Sequence, residues 1–337
     1  MRGDGLGDYP GWGMMRFRRG RERGAMIVIA GALVPIFLLI VLGWVLRRTR
    51  FLPDAFWMPA EKLTYYILFP ALLLGNLAEA RLEGLPVAGL AVAHGLGVLA
   101  MAGLAVAARP LLARRPFGLD GPGFSSLFQG VIRPNTYVGL AAAASLFGPQ
   151  GLTLTAICVA TVVPLVNLLS VVALVRFAPP HGTSPRWTTA AAAVVKNPLI
   201  AACLAGILLN VTGVGLPPFT APFLKVLGQG ALALGLLAVG AGLDLKALKD
   251  GGATVLLSAA AKLTLLPLLV GTVAWMLGVR DMPLAVCVAY AGLPCAPNAY
   301  VLARQMGGDS PLAAGIISVQ TVVAALTMPA LIALLLG

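Results

Sequence analysis

Long apolar stretches, separated by short polar connections, fill the chain from residue 26 to its end. A helix needs about 20 apolar residues to cross a hydrocarbon core of about 30 Å, and these stretches have that length. The pattern predicts an all-α polytopic membrane protein with ten transmembrane helices, whose boundaries are accurate to a few residues. The predicted spans are 26–46, 61–78, 86–108, 124–147, 151–177, 190–211, 219–243, 253–278, 283–305 and 311–336.

The composition supports this class of protein. Hydrophobic residues make up 59% of the 337 residues and charged residues only 11%, whereas soluble domains average roughly 45–50% and about 25%. A soluble globular protein is therefore excluded. The net charge is +12, but the basic residues form only short clusters between apolar stretches, so we expect the lipid bilayer and not nucleic acid as the partner.

Lysine and arginine residues in alternate connections predict the orientation. One side of the membrane has only Arg81 and Arg280, and the other side has eleven basic residues: Arg47, Arg48, Arg50, Arg109, Arg114, Arg115, Arg176, Arg186, Lys246, Lys249 and Arg304. By the positive-inside rule the larger set is cytoplasmic. We therefore expect a multi-pass protein of the inner or plasma membrane with both termini outside.

The N-terminal segment 1–25 disagrees with that orientation, because its six arginines would have to cross the membrane. Met26 directly precedes the first apolar stretch. We therefore expect the segment to be a disordered tail or to lie upstream of the true translation start.

Metal-ligand and catalytic patterns are weak. The four cysteines lie in apolar stretches without metal-type spacing, and the two histidines are too few for a histidine site. Ser258 and Lys262 have the spacing of a nucleophile and its base on one helix, but no oxyanion-hole signature accompanies them. We expect no metal, no cofactor and no enzymatic activity.

Two pairs of matching segments indicate an internal repeat. Arg133–Tyr137 and Ala296–Tyr300 share Pro-Asn-x-Tyr, and Ile157–Val163 aligns with Ile317–Val323 at nearly the same separation. We predict five-helix repeats at 26–178 and 190–337 with a short cytoplasmic linker at 179–189, and the odd number of helices inverts the second repeat. The alternative is a chance alignment of Ala/Val/Leu-rich helices.

A proline in each Pro-Asn segment predicts a broken helix, the fourth and the ninth. Pro134 and Pro297 lack an N–H group and disfavour helical geometry at the preceding residue. Backbone N–H and C=O groups in an irregular segment inside the membrane need hydrogen-bond partners from protein or from a water-filled cavity. We therefore expect the two breaks to face each other. The N-terminal ends of two half-helices would then converge, and such ends favour an anion.

Two basic side chains are predicted deep inside the membrane, namely Arg133 in the fourth span and Lys262 in the eighth. A charge at mid-helix costs about 2.5–3.5 kcal/mol on insertion scales, so each residue should have a partner or face water, unless its side chain snorkels to the interface. No Asp or Glu lies in the middle of a predicted span. This positive centre favours an anionic substrate over a cation.

Several uncharged residues complete the predicted site. Asn135 and Asn298 can hydrogen bond to a carboxylate or cap the following half-helix. The tyrosines near the breaks could contact substrate or pack against other helices. The candidate substrate-binding residues are Arg133, Pro134, Asn135, Thr136, Tyr137, Lys262, Pro297, Asn298, Tyr300 and Gln320.

These segments resemble the auxin efflux carrier family, whose bacterial members include malonate-type transporters and whose plant members are the PIN-formed carriers. The similarity runs from about Met26 to the C-terminus and is carried by segments 34–37, 133–140, 197–200 and 296–303, with Gly307, Gly308 and Asp309. It implies a scaffold of helices 1, 2, 6 and 7, which forms a homodimer, and a transport domain of helices 3–5 and 8–10. Helices 4 and 9 would cross at their prolines and bind the substrate there. The long cytoplasmic loop of the plant carriers is missing.

The residue patterns and the family resemblance together predict a secondary transporter that works by elevator-type alternating access. Its expected substrates are small organic anions, with carboxylates as the favoured class. A sodium- or proton-coupled symporter of the same architecture is one alternative. A passive channel or a membrane sensor is another.

Overall fold

The computed structural model of the protein describes residues 22–80, 82–178, 197–244 and 252–336. All regular secondary structure in these residues is helical. The predicted all-α class is therefore confirmed. The predicted linker 179–189, the start of the sixth span and the tail up to residue 21 lie outside the described residues, as do Arg81, Arg186, Lys246 and Lys249.

Thirteen α-helices and two π-helical turns follow one another along the described chain. They are α1 (Glu22–Arg48), α2 (Asp54–Leu63), a first π turn (Thr64–Leu68), α3 (Phe69–Ala78), α4 (Val87–Leu112), α5 (Gly121–Ile132), α6 (Thr136–Phe177), α7 (Pro198–Val211), α8 (Thr220–Ala241), α9 (Gly252–Ala260), a second π turn (Ala261–Leu265), α10 (Leu266–Met276), α11 (Asp281–Ala291), α12 (Asn298–Met306) and α13 (Ser310–Leu336).

Six helical stretches of the described chain are long and apolar enough to cross a membrane, and two shorter apolar helices accompany them. The longest stretch, Gly121–Phe177, contains two predicted spans. They meet at Gly148, where φ of 62° and ψ of −153° interrupt the helical geometry of α6. Glycine adopts such a left-handed φ without the steric cost that other residues meet.

The second predicted span begins earlier than its hydropathy indicates. The span was expected from residue 61, but α2 already begins at Asp54 and continues through the first π turn into α3. The first turns of α2 contain Asp54 and Pro59, and Glu61 and Lys62 follow. These polar residues lower the hydropathy although the backbone is helical.

Each π turn ends two residues before a proline, Pro70 in one case and Pro267 in the other. A proline ring clashes with the carbonyl four residues earlier in a regular α-helix. The wider turn avoids this clash, because its hydrogen bonds run over five residues, as from Phe69 N–H to Thr64 O. Lys262 lies in the second of these turns.

Helix α1 packs on α8, and α3 packs on α7. Glycines allow the closest approach: a Cβ atom added at Gly43 would overlap the Leu237 carbonyl, and one at Gly240 would overlap the Ile40 carbonyl. Small residues of this kind bring helix backbones together in membranes, where the hydrophobic effect does not drive helix association. The pair α1–α8 is therefore held by backbone contact.

Asn210 in α7 holds the end of α3. Its Nδ2 atom lies 3.1 Å from the Leu77 and Ala78 carbonyl oxygens and 2.6 Å from that of Ala80. The last carbonyls of a helix have no partner in a following turn. Leu77 O also accepts from Ala80 N–H at 3.4 Å, so this side chain supplies a donor chiefly for the Ala78 and Ala80 carbonyls.

We expect Asn210→Leu to destabilise the protein by about 1–3 kcal/mol, the usual cost of leaving a buried acceptor unsatisfied. The thermal unfolding temperature of detergent-solubilised protein would measure this loss. Thr212→Val is the matched control, because within the described part of the chain the Thr212 hydroxyl bonds only to carbonyls of its own helix. Equal unfolding temperatures for Asn210→Leu and the control would contradict the assigned role.

Candidate functional site

The two breaks predicted at Pro134 and Pro297 are present, and they contact each other. Residues 133–135 separate α5 from α6, and residues 292–297 separate α11 from α12. The Asn135 N–H group donates a hydrogen bond of 2.8 Å to the carbonyl oxygen of Pro294. One irregular segment thus supplies a hydrogen-bond partner to the other.

The two breaks differ in how the following helix begins. The Asn135 side-chain oxygen accepts hydrogen bonds from Tyr137 N–H (3.2 Å) and Val138 N–H (3.3 Å), so it caps α6. Helix α12 begins at Asn298 after Pro297, and no side chain of the described residues caps it. Capping, which was one of two roles considered for both asparagines, therefore applies to Asn135 alone.

Arg133 lies immediately before Pro134 and has the extended backbone (φ −83°, ψ 121°) that a following proline favours. The residue is only 4% exposed. Its Nη2 donates to Asn167 Oδ1 at 2.8 Å, whereas Nε and Nη1 have no hydrogen-bond partner among the described residues. A guanidinium group stays protonated in proteins, so a buried charge with unused donors lies at the first break.

Gln320 and Lys262 contact the breaks from α13 and the second π turn. Gln320 donates through Nε2 to Gly130 O at 3.0 Å, and its Oε1 accepts from Cys295 N–H at 2.8 Å. Gly130 O is the carbonyl for which Pro134 supplies no helical donor. Lys262 donates through Nζ to Ala291 O at 2.6 Å, at the end of α11.

A cavity of about 1950 Å³ lies beside the breaks. Eight of the ten candidate residues line it: Arg133, Pro134, Asn135, Thr136, Tyr137, Pro297, Asn298 and Tyr300. Gln320 and Lys262 are fully buried and do not belong to the lining. Substrate contact by these two residues stays a prediction.

The rest of the cavity wall contains residues that the sequence-based site does not include. Trp44, Trp57, Tyr65 and Tyr66 come from α1, α2 and the first π turn, and Asn197 precedes α7. The sequence around these residues does not indicate a shared cavity, because they lie on helices that are brought together only by tertiary packing. Asn167, a polar residue within a predicted span, carried a weak signal.

The aromatic ring of Tyr137 stacks on Phe69, with ring centroids 4.6 Å apart and an interplanar angle of 10°. Phe69 is the first residue of α3, so the stack connects α6 to α3. Packing, one of the two roles considered for Tyr137, is therefore present in addition to its place on the cavity wall.

The charges on the cavity wall are mostly basic. Five basic residues line it, Arg47, Arg48, Arg50, Lys62 and Arg133, together with three acidic ones, Asp54, Glu61 and Asp244. Arg47 pairs with Asp54 at 3.1 Å and donates to Ala241 O at 2.7 Å. Among the buried side chains of the described chain, only Arg133 and Lys262 are cationic and none is a carboxylate.

We expect Tyr300→Cys to react with a water-soluble thiol reagent, because Tyr300 lines the cavity. Ala303→Cys is the control one turn further along α12, where the residue is fully buried. All four native cysteines are buried, so background labelling should be low. Labelling can be quantified by mass spectrometry of purified protein, and faster reaction at position 303 than at 300 would contradict the cavity.

Comparisons with known proteins support a membrane function. The family described as "Membrane transport protein" matches residues 188–332. No curated protein matches the sequence. Residues 188–332 thus match the membrane transport protein family, the auxin efflux carrier family, and this match together with the apolar helices indicates a multi-pass membrane transporter.

Proposed function

We propose that the protein is a secondary transporter of small organic anions, with carboxylates as the favoured class, and that it binds them at the two helix breaks. The observation that carries this proposal is the Arg133 guanidinium group. It is 4% exposed, lines the cavity and keeps two nitrogens without partners among the described residues. A carboxylate that reached either nitrogen could accept a charge-assisted hydrogen bond from it.

The surroundings of Arg133 favour an anion further. Helix α6 begins three residues after Arg133, and its N-terminus carries a partial positive charge. Asn298 lines the cavity and does not cap α12, so its side-chain amide is free to bind a polar group of the substrate. The described interior contains no buried carboxylate that would attract a cation.

The packing of the helices supports ten spans in two inverted repeats. Helix α1, the first span, packs on α8, the seventh, and α7, the sixth span, packs on α3, within the second. Two repeats of five helices, inverted relative to each other, generate such reciprocal pairs. We propose that these helices form the scaffold and that a homodimer forms through it.

The position of the cavity supports elevator-type movement. Residues of α1, α2, the first π turn and α8 form one part of its wall, and residues of the two breaks, α12 and α13 form another. If the second group moves against the first, the breaks are carried across the membrane with the bound anion. This movement would give alternating access.

The basic residues Arg47, Arg48 and Arg50 line the same cavity, and they belong to the set for which we expect a cytoplasmic location. We therefore propose that the cavity opens to the cytoplasm and that the transporter exports anions. An inside-negative potential would drive an anion outward with about 2.3 kcal/mol per charge per 100 mV.

Uptake into proteoliposomes tests the proposal, with labelled acetate, benzoate, malonate and succinate under imposed potential, pH and sodium gradients. We expect potential-driven uptake of at least one of these anions. Arg133→Met should weaken its apparent affinity at least tenfold, since a charged hydrogen bond contributes about 1.5–3 kcal/mol. Arg304→Met removes the same charge from an exposed residue outside the cavity lining and should leave affinity unchanged.

Other outcomes would refute the proposal in distinguishable ways. Strict dependence on sodium or on a proton gradient would favour a symporter. Single-channel currents would indicate a channel, and anion binding without flux would indicate a sensor. Unchanged affinity in Arg133→Met would remove Arg133 from the binding site.

The two asparagines should respond differently to substitution by alanine. Asn298→Ala should abolish flux while the unfolding temperature stays near that of the wild type. Asn135→Ala should abolish flux and also destabilise the protein by about 0.5–2 kcal/mol, because it removes the cap of α6. Normal flux in both variants would refute binding at the breaks.

A further inference from the structure

Gln320 connects the two breaks through both ends of one amide group. Its Nε2 donates to Gly130 O in the last turns of α5, and its Oε1 accepts from Cys295 N–H between α11 and α12. Nε2 also lies 2.9 Å from Ser258 Oγ and 3.2 Å from Ser258 O in α9. Three separate parts of the chain therefore meet at a single side chain.

These contacts supply partners that the broken backbone cannot provide for itself. Pro134 supplies no donor for Gly130 O, and Cys295 N–H lies outside helical structure. An unsatisfied polar backbone group in a membrane interior costs several kcal/mol. The amide is suited to this place because it combines a donor for one break with an acceptor for the other.

Helix α9 and the π turn after it complete the arrangement. Ser258 precedes Lys262 by four residues, and Lys262 Nζ donates to Ala291 O at the end of α11. At Gly130, a Cβ atom would lie 2.8 Å from Ser258 Oγ and 2.7 Å from the Ile316 side chain. The absence of a side chain at Gly130 therefore lets the backbone of α5 approach Ser258 closely.

We propose that Gln320 is a positioning residue, and not a substrate ligand, that joins the two breaks into one unit together with Ser258 and Lys262. Gln320 holds α5 against the second break, and Arg133 and Asn135, which follow α5 directly, keep their geometry through it. The coupling of the breaks is a structural property. Only its effect on transport rests on the proposed function.

Hydrogen exchange measured by mass spectrometry tests this coupling in the full-length protein. Gln320→Met removes the acceptor of Cys295 N–H, so exchange should accelerate in peptides covering 290–300. The coupling further predicts at least tenfold faster exchange at the Asn135 amide, although Asn135 N–H bonds to Pro294 O and not to Gln320. Peptides from α1 and α8 should keep their wild-type rates, which excludes general unfolding.

Thr321→Val is the matched control, because the neighbouring Thr321 is also buried and, among the residues that the structure describes, its hydroxyl bonds only to Ile317 O in its own helix. This control should leave both breaks unchanged. If Gln320→Met does not fold, Ser258→Ala is the substitute test. This milder change should accelerate exchange at both breaks by a smaller factor. Acceleration confined to peptides covering 290–300 in either variant would overturn the proposal.

Uptake of the same labelled carboxylates separates this inference from the proposed function. Coupled exchange at both breaks without uptake by the wild-type protein would refute the function and support the positioning role. Uptake by the wild type together with uncoupled exchange would refute the positioning role alone. If both hold, Gln320→Met should slow maximal uptake at least tenfold and Thr321→Val should not.

Discussion

The need to satisfy backbone polar groups inside a membrane governs this structure. Two helices are interrupted at Pro134 and Pro297, and hydrocarbon offers no hydrogen bonds to the peptide groups that the interruptions expose. The Asn135 N–H to Pro294 O bond makes each break a partner of the other. The side chains of Gln320 and Lys262 bond to further groups at the ends of α5 and α11. The two broken helices therefore supply hydrogen-bond partners for each other, and side chains of neighbouring helices supply further ones.

This pairing also places polar side chains on one wall of a large cavity. Arg133, Asn135 and Asn298 occur where the helices are broken, and the broken backbone is tolerated only where protein or water surrounds it. The constraint that decides where helices can break thus also decides where a polar ligand can be bound. Neighbouring helices are joined differently, by backbone contact at Gly43 and Gly240 and by Asn210 at the end of α3.

The roles of the two deep basic residues were not separable from the sequence. Both Arg133 and Lys262 were expected near the breaks, because a charge at mid-helix needs a partner or water. Arg133 lies on the cavity wall and has donors without partners among the described residues, whereas Lys262 is fully buried and donates to Ala291 O. Whether a deep basic side chain lines the cavity or bonds to a helix end depends on how the helices pack around it. The residue type alone does not determine this.

The helical membrane class, the two breaks and most of the residues beside them can be predicted from the order of residues along the chain. These features follow from local chemistry: apolar length sets the spans, and proline removes a donor wherever it occurs. Which side chains share a cavity, and which buried side chains hydrogen bond to the breaks, depends on how the helices pack. The aromatic residues of α1 and α2 and the Gln320 contacts join segments that are distant in sequence. Such contacts depend on how the helices pack, and they have no periodicity or spacing that could be read along the chain.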